Sequence, residues 1–156
     1  MARGPRLPHP SALRLVVALG AIAACGLAAG AAQARKAGPT VVRQVVRLAL
    51  GPNRGVALQD GVNVTAAEST LWARPGSNFW QLQPSHGTEL AVDGVTTRRG
   101  AAGCRAARWG TPQASSPLRA GTFHCVKTWL GDYGEVKIEQ VTPMAVVISY
   151  TLWRGA

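Results

Sequence analysis

The side chains able to do chemistry in this 156-residue chain are few and dispersed. Nucleophilic hydrolysis needs a serine, cysteine or threonine, an imidazole base and an orienting acid within hydrogen-bond reach. Beyond the first 34 residues the imidazoles are His86 and His124, and the aspartates are Asp60, Asp93 and Asp132. No serine sits in a G-x-S-x-G elbow. His124 is adjacent to Cys125, and neighbouring residues on a strand point to opposite faces, which disfavours a Cys–His pair. A zinc site needs about four clustered ligands, which these two histidines do not supply. Gly100–Gly103 (GAAG) lacks the Lys-Ser/Thr that completes a phosphate loop. Any of the 7 acids could form a glycosidase pair, but the sequence does not bring two together. No catalytic residue, metal ligand or cofactor is assigned.

Binding chemistry is better represented. Tryptophan occurs 5 times, at 72, 80, 109, 129 and 153. Aromatic rings stack on sugars and bases, so Trp72, Phe79 and Trp80 are the candidate glycan-binding face. Trp129 and Trp153 are expected to be core residues at strand ends. The net charge is +10, from 17 basic and 7 acidic residues; without Arg3, Arg6 and Arg14 it falls to +7. That balance favours an anionic cell-wall polymer or glycan as partner. Export would remove nucleic acid as the usual partner.

Location follows from the first residues. Arg3, Arg6 and Arg14 precede an uncharged stretch from Leu15 to Ala34, which ends Ala32-Gln33-Ala34 ahead of Arg35. A basic start, an apolar middle and small residues at −3 and −1 form a secretory signal. Three outcomes stay open. The leader is cleaved between Ala34 and Arg35, or Ile22-Ala23-Ala24-Cys25 acts as a lipobox and Cys25 is acylated, or the stretch stays as an uncleaved anchor. Only the last two attach the chain to a membrane.

In an oxidising compartment the two remaining cysteines, Cys104 and Cys125, are expected to pair. The loop they close, roughly 20 residues, gives about 3 kcal/mol on the chain-entropy estimate. The absence of a C-x-x-C spacing argues against a redox-active pair.

The elements expected to carry these residues are strands. The Val-rich run 41–50 reads as a strand because β-branched side chains suit a pleated surface. Short extended pieces are expected at 56–59, 62–65, 69–73, 79–83 and 88–92, separated by turns rich in Gly and Pro. Residues 93–121 read as loop, with a helical turn at Cys104–Arg108. The last third holds three runs, 122–129, 133–141 and 145–153, with connections short enough for hairpins. Glu135, Lys137 and Glu139 alternate with Val136 and Ile138, so one face is wet and one is buried. The expected fold is all-β, a small sandwich or barrel with a C-terminal three-stranded antiparallel meander. The expected organisation is a signal peptide at 1–34, an N-terminal strand and linker at 35–54, and a disulfide-stapled β domain at 55–156.

The pieces Leu82-Gln83-Pro84, Gly87–Val92, Gly103–Ala107, Leu118–Thr122, Cys125-Val126-Lys127-Thr128 and Ile148–Trp153 bring a family into view. Over about residues 55–153 the chain resembles a small β domain of secreted actinobacterial proteins. The same module type forms the extracellular C-terminal part of some of their membrane-bound serine/threonine kinases. The two cysteines, the C-V-K-T piece and the Y-T-x-W piece carry the resemblance. It implies an extracytoplasmic, disulfide-bonded β module, with no catalytic residues to transfer. The function expected is a secreted or envelope-associated binding or structural module; the alternative is a small secreted hydrolase or an enzyme inhibitor.

Overall fold

β-branched and aromatic residues in alternation, cut by Gly-, Pro- and Asn-bearing turns, lay the described residues out as nine strands and one short helix. The computed structural model describes residues 38–91, 94–110, 115 and 117–155. The leader, with Cys25, Ala34 and Arg35, lies outside the described residues. Among those described, no helix is long and apolar enough to cross a membrane.

Two antiparallel sheets form. The larger holds β1 (Thr40–Leu50), β9 (Val146–Arg154), β8 (Tyr133–Val141), β7 (Phe123–Lys127) and β6 (Glu89–Leu90), in that spatial order. The smaller has the order β3 (Val62–Thr65), β2 (Arg54–Ala57), β4 (Leu71–Pro75), β5 (Trp80–Pro84). The sheets remain separate, so the fold is a sandwich and not a closed barrel. The expected meander is β7–β8–β9, paired strand to next strand. The Val-rich strand β1 pairs along its length with β9, from Thr40 opposite Arg154 to Leu50 opposite Val146. It is the edge strand of the larger sheet.

Alternation decides what goes inside. Val136 and Ile138 of β8, Val146, Ile148, Tyr150 and Leu152 of β9, and Val126 of β7 point at Val56, Leu71, Ala73 and Leu82 of the smaller sheet. The Tyr150 hydroxyl crosses between the sheets and donates to the Leu58 carbonyl at 2.9 Å, satisfying an otherwise buried polar pair. Gly134 makes room at the tightest point: a Cβ there would come within 2.3 Å of Leu152 Cδ2. Thus the C-V-K-T and Y-T-x-W pieces supply core side chains together with the disulfide.

The outer face of the larger sheet carries the helix α1 (Gly100–Arg105). Helix formation starts four residues ahead of the expected turn at Cys104–Arg108. The Glu135 carboxylate draws it there by accepting the Arg99 and Gly100 backbone N–H groups at 2.6 and 2.9 Å. Cys104 of α1 and Cys125 of β7 form the expected disulfide, with their Cα atoms 5.2 Å apart. Beside it, the rings of Trp109 and Tyr133 pack with centroids 5.8 Å apart. Cys125 therefore faces the helix, whereas His124 faces the other side of the same strand, as alternation requires.

Candidate functional site

A concavity lies at the end of the sandwich where the β4–β5 and β8–β9 connections meet. Pro75 and Gly76 of one turn, Val141 to Pro143 of the other, and Pro117 to Arg119 of the long loop wall a cleft of about 600 Å³. Each wall is fixed by main-chain bonds. The Gly76 N–H donates to the Phe79 carbonyl at 2.7 Å and closes the β4–β5 turn. Leu118 N–H donates to the Trp80 carbonyl at 2.8 Å, which lays the loop against β5. Next to it, Leu82 N–H donates to Ser115 Oγ and Gln81 Nε2 to the Ser115 carbonyl, both at 2.8 Å. The Trp80 indole N–H donates to the Thr142 carbonyl at 2.8 Å and ties the two turns together.

On this frame Phe79 stays 41 % exposed and lies over Gly76, where a Cβ would meet the ring at 2.7 Å. Ser77 and Asn78 are exposed beside it, and the exposed Arg119 stands on the loop wall. None of the described residues lining the cleft is acidic. The cleft thus combines an apolar ring, a guanidinium and short polar side chains. Such a set stacks on a sugar face and pairs with a carboxylate, sulfate or phosphate.

Of the three aromatics expected to form a glycan face, Phe79 and Trp80 reach this cleft and Trp72 does not. Trp72 lies between the inward-facing Leu71 and Ala73 on β4, so it points to the opposite face of the smaller sheet from Trp80. Trp80 is a core residue whose indole positions the cleft wall. Arg119, on a loop of small residues, carried no signal in the sequence beyond its charge.

The residues weighed for hydrolysis are scattered. His86 sits at the β5–β6 turn with Nε2 2.8 Å from the Ala67 carbonyl. His124 is buried; its Nε2 lies 3.4 Å from Thr122 Oγ1 and its Nδ1 has no partner. Burial lowers the His124 pKa to about 4. Asp132 is buried in an ion pair with Arg154, 3.2 Å from Oδ1 to Nε. Asp60 is exposed on the β2–β3 turn, and Asp93 lies outside the described residues. Among the described residues, no three His, Cys, Asp or Glu side chains gather as a metal site would require.

Trp153 is buried as expected, but Trp129 is 64 % exposed, so its expected place in the core is corrected. Strand β7 ends at Lys127, and the tight turn that follows carries Trp129 out of the alternation. The carbonyl and Oγ1 of Thr128 accept the Gly131 and Asp132 N–H groups at 2.9 and 3.2 Å and hold that turn.

No family model matches the chain. No curated protein and no solved structure matches it either.

Proposed function

We propose that this chain is an exported binding module that takes an anionic glycan or cell-wall polymer in the cleft between the β4–β5 and β8–β9 turns. The observation that carries the reading is the pairing of exposed Phe79 with Arg119 in a cleft whose described lining holds no acid. The surplus of basic residues supports it, because a positive surface raises the local concentration of a polyanion before contact is made. The export half rests on the leader and is supported by the disulfide, which persists in oxidising compartments. The resemblance to extracytoplasmic actinobacterial β modules belongs to the same reading.

Retention of the full chain on immobilised polygalacturonate at about 50 mM salt, where attraction is least screened, is the direct test. Retention is expected to fall severalfold in Phe79→Ala and Arg119→Ala, with the unfolding midpoint unchanged. Unaltered retention in both variants would reject the cleft as the site.

A further inference from the structure

The end of the sandwich opposite the cleft presents a different chemistry. The turn between β7 and β8 lifts Trp129 and Leu130 into solvent, 64 % and 50 % exposed. They project beyond the row Lys127, Tyr133, Trp153 and Val41 that crosses the larger sheet. Val41 is exposed in that row, and Arg154 lies beside the turn, paired to Asp132. The turn is braced rather than loose: Thr128 holds its ends, and the Trp129 side chain lies against Gly87, where a Cβ would meet Trp129 Cβ at 3.2 Å. Holding a large indole in water on a fixed turn forgoes the stabilisation that burial would give it.

The position of the chain's entry bears on what could cover it. β1 begins at Thr40, opposite Arg154, so the polypeptide enters the sandwich at this same end. The apolar stretch 15–34 precedes Thr40 by only a few residues, among them Arg35 and Lys36. Six residues fully extended reach about 20 Å at most. From Cys25 the reach is about 50 Å. A span retained as far as Ala34 would tether this end within the shorter reach of a bilayer. Acylated Cys25, with a reach longer than the sandwich, would leave the orientation to the surface itself. Indole at the headgroup level and an aliphatic side chain beside it suit that interface. Lys127 and Arg154 at this end are paired to Glu89 and Asp132, so Arg35 and Lys36 are the cations left for anionic headgroups.

We propose that Trp129 and Leu130 insert into the interface of an anionic membrane, orienting the sandwich so that its cleft faces away from the lipid. The inference rests on the export reading with the leader kept as an anchor. β8 runs from one end to the other, about 26 Å for its nine residues. The cleft would stand about that far above the headgroups.

The test is tryptophan quenching in the full chain reconstituted into phosphatidylglycerol vesicles containing brominated acyl chains. Quenching is expected in the unaltered protein, to fall at least about threefold in Trp129→Ala, and to persist in Phe79→Ala at the opposite end. No quenching, or equal quenching in Trp129→Ala, overturns the proposal. So does a dimer in solution that Trp129→Ala dissolves, since the turn would then be covered by a second copy. The variant's near-ultraviolet dichroism checks that the exposed substitution leaves the fold intact. Intact mass and fractionation of the protein from its native host test the anchored-export reading separately.

Discussion

Cys125 on β7 and Glu135 on β8 stand directly opposite each other, and both reach the same short helix. Cys125 holds α1 covalently through Cys104, while Glu135 holds its first turn through two backbone N–H groups and the Arg98 guanidinium. A six-residue helix has almost no stability of its own. These two attachments keep it folded on the sheet.

Replacing both cysteines by alanine is expected to cost about 3 kcal/mol, since the bridge closes a loop with a sequence separation of 21. That corresponds to a fall of roughly 10 °C in Tm for a domain of this size. Calorimetry of the double variant, beside the parent with and without reductant, checks it. A shift below a degree would mean that the sheets alone hold the loop.

Glu135→Ala leaves the Arg99 and Gly100 N–H groups without their acceptor and frees the Arg98 guanidinium. The expected loss is about 2–4 kcal/mol. Because both attachments hold one helix, the losses should not add: removing the disulfide should cost less in Glu135→Ala than in the parent. A double-mutant cycle in urea measures this, and strict additivity would contradict it.

Burial lowers the His124 pKa from the usual 6.5 to about 4, so the unfolded chain takes up that proton first. Stability from this residue is complete above about pH 6.5 and is lost as pH falls toward 4. The loss reaches about 3 kcal/mol. Urea midpoints between pH 7 and 4 should slope in the parent and flatten in His124→Gln. The same slope in both would assign the acid sensitivity elsewhere.

Gly76→Ala is expected to affect the cleft and not the fold. A methyl group there meets the end of the Phe79 ring, which has solvent to swing into. Binding to the anionic polysaccharide should weaken while Tm moves by less than about 2 °C. Gly134→Ala should do the reverse. Its methyl group would strike Leu152 in the core. Overpacking of that kind costs about 1–3 kcal/mol.

The sequence made the meander plain because three alternating runs sit next to each other with short turns. Tyr133–Val141 was legible to the residue for that reason. The pairing of β1 with β9 was not, since it joins Thr40 to Arg154 across nearly the whole domain. The start of α1 was missed because its N-terminal acceptor, Glu135, arrives from a strand 35 residues later. Trp129 misled because the run 122–129 reads as one strand with the indole at its end, whereas β7 stops at Lys127. Phe79 and Trp80 marked one wall of the cleft in advance. Its other walls, at 117–119 and 141–143, come from connections with no periodicity to announce them.

The loop closed by the disulfide contains Pro117, Leu118 and Arg119, one wall of the cleft. The inter-sheet core lies on the other face of β7 from that bond. Reduction would therefore leave the sandwich standing and slacken a single cleft wall. Ligand capture would then weaken at the same thiol concentration that lowers Tm, while the sandwich stays folded at ordinary temperature.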